Sequence, residues 1–150
     1  MTTVKIKPHH FMDIIKLYGS GITEFVPDEK MKHDFYKVAN QIIQCPETRL
    51  ELTIYGDDIC LPCVKYEREC MDPLTHIQEF MRKNTYNQTL DTRIIDLYHL
   101  ENKEYSAFEL CSILLNDKDN IFDVWKEEDD SVTQKRYSLF VTGAKLYLNR

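Results

Sequence analysis

The sequence predicts an α+β fold, mostly helical with a small two-stranded sheet, on three observations. Val4-Lys5-Ile6-Lys7 and Leu50-Glu51-Leu52-Thr53-Ile54 alternate apolar and polar residues, the pattern of half-buried strands. Most remaining apolar residues recur at helical spacing, as Phe11, Ile14, Ile15 and Tyr18 do. A chain of 150 residues that is 43% hydrophobic and 29% charged has the composition of a globular domain and can bury a core without covalent staples.

The first strand, around Val4 to Lys7, is stopped by Pro8, which suits the first turn of a helix. His9 and His10 therefore fall at a strand-to-helix junction, and the helix closes at Gly19 or Gly21. Asp13 lies one turn beyond the histidines and can share that end of the helix. After a turn-rich bridge, Asp28 is a plausible N-cap for a long helix whose face carries Met31, Phe35, Val38 and Ile42, ending near Cys45-Pro46. The strand from Leu50 to Ile54 is the expected partner of Val4 to Lys7, in a direction the pattern leaves open.

Beyond Cys70 the pattern is helical. Asp72-Pro73 opens a segment with Leu74, Ile77, Phe80 and Met81 on one face, and Asn84 to Asn87 reads as a polar break. Leu90, Ile94, Ile95 and Leu97-Tyr98 form another short helix. Ser106-Ala-Phe-Glu109 matches a capping box and starts a helix to about Leu115. A turn over Asn116 to Asn120, a short piece around Ile121 to Trp125 and an acidic break over Glu127 to Asp130 precede a last helix, from about Ser131 to Leu148.

Charge narrows the function. Lys and Arg total 19 against 25 acids, a net charge of −6, and no basic run suits a phosphate backbone, so no nucleic-acid partner is expected. No apolar run reaches the length of a membrane span and the opening residues lack a signal peptide's apolar stretch, which predicts a cytoplasmic protein with no membrane partner. In a reducing compartment an odd number of cysteines, five, argues against a disulfide framework and for ligation, redox work or burial.

Three of those cysteines stand together behind a glycine and two acids, in Gly56-Asp57-Asp58-Ile59-Cys60-Leu61-Pro62-Cys63, with Cys70 seven positions on. A pair two residues apart can grip one metal, and a third thiolate can return to the same centre. Thiolates bind zinc and iron–sulfur clusters strongly because both are soft acceptors. Three thiolates leave one tetrahedral position, for which His9, His10 and Asp13 are the candidates. Asp57 and Asp58 are candidates for orienting the loop or a ligand by hydrogen bonds, though Gly-Asp-Asp is equally ordinary turn chemistry. The blander reading, that Cys60 and Cys63 are small loop or core residues, is weakened by the addition of Cys70.

Two separated motifs, Lys7-Pro8-His9-His10-Phe11-Met12-Asp13 and Gly56-Asp57-Asp58-Ile59-Cys60 with Cys63 and Cys70, resemble the prokaryotic family called domain of unknown function 1284, often labelled an iron–sulfur binding domain. The likeness covers roughly residues 4 to 85. It implies an iron–sulfur site in which Cys60, Cys63 and Cys70 match the later motif, whereas Asp13 stands where the family has its first cysteine. Aspartate is a harder, oxygen donor, so zinc, mononuclear iron, a cluster with one labile iron or loss of the site all follow from that departure.

The expected organisation is one domain over 1–150, with a metal-binding core over 1–87 and a helical extension over 88–150 packed on it. The favoured function is a small metal- or iron–sulfur-binding protein. One alternative is a metal- or cluster-dependent enzyme with an open coordination position for substrate, in which Asp13 or His10 is the acid–base candidate. A further alternative is a CxxC redox protein using Cys60 and Cys63, or a metal-free interaction module. Cys45 and Cys111 suit structural roles, and His33, His76 and His99 have no ligand-spaced partner. Trp125 and the tyrosines fit a core and its boundary. Glu127 to Asp130 lacks the spacing of a calcium loop, and neither a phosphate-binding glycine loop nor a GxSxG elbow is present.

Overall fold

The computed structural model describes residues 3–26, 35–54, 66–67, 69–70 and 83–149, with the backbone alone at 66–67, 69–70 and 83–85. The expected Asp28 cap, Met31, His33, the Asp72 to Met81 segment and His76 lie outside the described residues.

The fold is α+β and mostly helical. Strand β1 (Val4–Ile6) buries Val4 and Ile6 and exposes Lys5, which realises the alternation of its sequence. It pairs in parallel with β2 (Arg49–Leu52), Val4 opposite Leu50 and Ile6 opposite Leu52. The sheet has three strands, one more than the alternation predicts, because β5 (Glu104–Ser106) pairs antiparallel with the other edge of β2. Three residues are too few to display a period. Tyr105 is the one apolar side chain of β5, and Ser106 serves at once as the last strand residue and as the next helix's N-cap. A separate two-stranded ribbon joins β3 (Tyr66–Glu67) to β4 (Glu69–Cys70).

Helix α1 (Pro8–Gly19) leaves β1 at once, with Pro8 in its first turn and Phe11, Met12, Ile14 and Ile15 buried. Its closing end carries Gly21 at φ 106, a left-handed conformation that favours glycine. Helix α2 (Phe35–Gln44) stops before Cys45-Pro46 and buries Val38, Ala39, Ile42 and Ile43. Helix α3 (Lys83–Leu97) runs through Asn84 to Asn87, where a break is expected from composition. Burial explains the difference: Tyr86, Asn87, Leu90, Asp91 and Ile94 form an inward stripe in which two of the five members are polar.

Helix α4 (Ala107–Asn116) starts at the anticipated capping box, Ser106 Oγ accepting from the Glu109 N–H and Glu109 Oε1 from the Ser106 N–H. A 3₁₀ turn (Lys118–Asn120) and the short α5 (Ile121–Val124) lead to α6 (Asp130–Leu148). Among the described residues no helix is long and apolar enough to cross a membrane.

The longest helix lies across the first. A Cβ on Gly19 would sit 2.0 Å from the Leu139 carbonyl oxygen, and one on Gly143 would sit 2.0 Å from that of Ile15. The two backbones touch where only hydrogen atoms fit. Around the crossing, Phe140, Ala144 and Tyr147 of α6 join the buried face of α1, and the Tyr147 hydroxyl donates to the Ile42 carbonyl of α2. The core therefore continues from the sheet through α1 into the last helix.

Candidate metal site

The start of α1 concentrates buried polar chemistry. Lys7, the residue before the helix, is fully buried, and the His9 side chain is 7% exposed. The helix has no side-chain cap of its own and no acid in its first turn. Asp91, from α3, supplies both functions. Its Oδ1 accepts from the His9 backbone N–H and from the His9 ring at Nδ1, each at 2.8 Å. An ionised carboxylate only accepts, so Nδ1 is the donor in this contact. The same carboxylate lies at the positive end of the α1 dipole.

Asp91 is fully buried, and its second oxygen, Oδ2, has no hydrogen-bond partner among the described residues. Leaving a buried carboxylate oxygen unsatisfied is costly, which makes this corner an exception to ordinary core construction. The His10 ring is half-buried and lies 4.4 Å from the His9 ring, centroid to centroid, tilted by 49°.

Asp13, one turn further, faces other partners. Its Oδ1 accepts from Arg136 Nη1 of α6 and lies 3.7 Å from the Lys16 ammonium. Burial alone would raise the Asp13 carboxyl. The Arg136 guanidinium, helped by His9 and Lys16, outweighs burial and holds it below the ordinary carboxylate range. Arg136 in turn stacks over the Trp125 ring, 4.2 Å from its centroid. Thus His9 and Asp13 share a helix face but are tied to different elements, α3 and α6.

Cys60, Cys63, Asp57 and Asp58 lie outside the described residues, and Cys70 is described by its backbone, opposite Tyr66 in the β3–β4 ribbon. Strand β4 neighbours α3, the helix that carries Asp91. Among the described residues no group of three or more His, Cys, Asp or Glu side chains is arranged to hold a metal ion.

The remaining candidates occupy structural places. Cys111 is fully buried in α4, and burial pushes its thiol up to about 12, far from the thiolate that metal binding or redox chemistry requires. Cys45 is half-buried just after α2. His99 is exposed, with φ 54, at the turn that follows α3. Glu127, in the acidic stretch, receives a two-point hydrogen bond from Arg93 at 2.6 Å for each contact, and that bond holds its carboxyl below the ordinary range. Arg93 also donates to the Val124 carbonyl, so this pair closes the chain between α5 and α6 onto α3.

Asp91 and Arg136 are the two polar residues that pattern reading passes over. A faint signal for Asp91 exists: it falls in line with Leu90 and Ile94 on the inward stripe of α3, where an acid is unexpected. No family model matches this sequence, and no curated protein or solved structure matches it significantly.

Proposed function

We propose that the protein is a small metal- or iron–sulfur-binding protein, in which Cys60, Cys63 and Cys70 supply thiolates and His9 Nε2 is the fourth protein donor. One observation carries the choice of His9: its Nδ1–H is held by the buried Asp91 carboxylate at 2.8 Å. Histidines that ligate metals are oriented in this way, the outer carboxylate fixing the tautomer and making the free nitrogen a better donor. Asp13 is the weaker candidate, because Arg136 and Lys16 already neutralise it and would have to be displaced.

Asp91 Oδ2, unpartnered among the described residues, supports the same reading, since a positive centre nearby would offset part of the cost of burying that charge. The neighbouring position of β4 and α3 brings the backbone that bears Cys70 to the helix that bears Asp91. When bound, zinc supplies a structural or Lewis-acidic centre, and an iron–sulfur cluster a redox one. Three thiolates with one imidazole suit either. The resemblance to the iron–sulfur family is part of this proposal, with Asp13 at that family's first cysteine position forming an ion pair instead of a ligand bond.

Anaerobic purification followed by visible absorption and by metal and sulfide analysis tests the reading. The expected result is stoichiometric metal in the natural protein, its loss in Cys63→Ser and His9→Ala, and its retention in Asp13→Ala. Absence of metal from the natural protein overturns the proposal. Retention in His9→Ala with loss in Asp13→Ala would instead transfer the fourth position to Asp13.

A further inference from the structure

A second feature of the molecule stands apart from the metal reading. Between α1 and α6 runs an open groove of about 490 Å³ that brings together three cations, Lys16, Lys135 and Arg136. Leu17, Val132 and Leu139 line it as well. In a chain of net charge −6, a concentration of positive charge is a local construction and not a consequence of composition.

The charges do not cancel. Asp13 pairs with both Arg136 and Lys16, one carboxylate against two cations. Lys135 has no ion pair among the described residues. Lys16 registers the surplus. Burial pulls its ammonium below the ordinary value, Asp13 pushes it back, and Arg136 and Lys135 lower it again. Among the described residues the groove lining thus carries two positive charges beyond the one that Asp13 balances. Its apolar side is equally open, with Val132 47% exposed although it begins the helix's groove-lining face.

We propose that this groove binds a small amphipathic phosphate monoester, its dianionic head between Lys16, Lys135 and Arg136, its apolar chain along Leu17, Val132 and Leu139. The doubly charged head matches the surplus of two cations, which a carboxylate would only half satisfy. The volume accommodates a head group and a short chain. Such a ligand also finds a reporter in place: Arg136 stacks on Trp125, the chain's single tryptophan, so a change at the guanidinium alters the indole emission.

Hexyl phosphate, inorganic phosphate, hexanoate and 1-hexanol are the probes, titrated into the full chain with calorimetry and Trp125 emission as readouts. Hexyl phosphate is expected to bind saturably, about tenfold more tightly than hexanoate or inorganic phosphate, with 1-hexanol not binding. Lys135→Glu, a change at an exposed position, should weaken hexyl phosphate about tenfold or more while the circular dichroism spectrum is unchanged. The proposal is overturned if hexyl phosphate causes no saturable change in either readout, if inorganic phosphate or 1-hexanol binds as tightly, or if Lys135→Glu binds it like the natural protein.

Discussion

The two ends of α1 are held by opposite means. At its start, Lys7, His9 and Asp91 bury directional polar groups, and the helix receives its cap from another helix, α3. At its close, Gly19 and Gly143 bring two backbones into direct contact. Steric contact of the second kind gives adhesion at little cost, because dispersion needs no compensating partner. Burial of a carboxylate with one oxygen unpartnered among the described residues is expensive. The difference separates a steric contact that holds two helices together from a polar corner in which a buried carboxylate fixes the His9 ring.

The largest effect is expected at the adhesive end. In Gly143→Ala the new Cβ would lie 2.0 Å from the Ile15 carbonyl oxygen and 2.8 Å from the Gly19 nitrogen, both backbone atoms that cannot rotate aside. The helices must separate and uncover Phe140 and Ile15, which should cost at least about 3 kcal/mol in urea unfolding. Leu146→Ala, on the 52%-exposed side of the same helix, should change stability by less than about 0.5 kcal/mol. Similar losses for the two variants would show that the crossing is looser than described.

At the polar end, Asp91→Ala removes the acceptor of two hydrogen bonds and leaves the His9 ring without an anchor, so a loss of about 3 kcal/mol is expected. Asp91→Asn keeps an oxygen for the backbone N–H but offers a neutral acceptor to the ring. It should recover at least half of that stability. If the corner exists to present Nε2, metal content will fall in Asp91→Asn even where the fold is retained, and unchanged metal in that variant would reduce Asp91 to a helix cap.

Between the two ends, the Asp13–Arg136 pair gives a prediction with a pH signature. The folded-state carboxyl is held below its ordinary value, so its contribution to stability is present above about pH 4 and is lost as pH falls through the lowered folded value. Arg136→Met leaves Asp13 with the burial that raises it and fewer of the charges that lower it. The variant should be about 2 kcal/mol less stable than the natural protein at neutral pH, and the gap should narrow steadily on acidification. A gap that is constant with pH would mean that the guanidinium acts through its stacking on Trp125 alone.

These pairs also explain what can be read from the sequence alone. The β1-to-α1 junction, the β2 alternation and the α4 capping box are local, each residing in a few consecutive residues, and all three are recognisable from pattern. His9 stands out in the sequence because it lies beside His10, yet its partner Asp91 is 82 positions away on a helix whose polar composition hides an inward stripe. Asp13 reads as a candidate ligand from its place one turn beyond the histidines. Its engagement by Arg136, 123 positions on, follows from the α1–α6 crossing, and nothing in the local pattern of Gly143 announces that contact. Strand β5 is invisible for a different reason, since it has three residues and shares its last with a helix cap.

A smaller effect than those at Asp91 and Arg136 belongs to that shared residue. Ser106 accepts from the Glu109 N–H at 3.0 Å while its own N–H is satisfied by Glu109 Oε1 at 3.3 Å. Ser106→Ala removes one of these bonds and should cost about 1 kcal/mol, the ordinary value of a lost N-cap. Ser106 also pairs opposite Arg49 at the edge of β2, so loosening the start of α4 loosens the end of β5 with it. Amide exchange should therefore accelerate at Ala107, whose N–H reaches the Thr48 carbonyl, as well as in the first turn of α4. Acceleration confined to α4 would separate strand from helix. Acceleration at the His9 N–H, which Asp91 fixes from another helix, would show that the loosening travels through the β5–β2–β1 ladder into the start of α1.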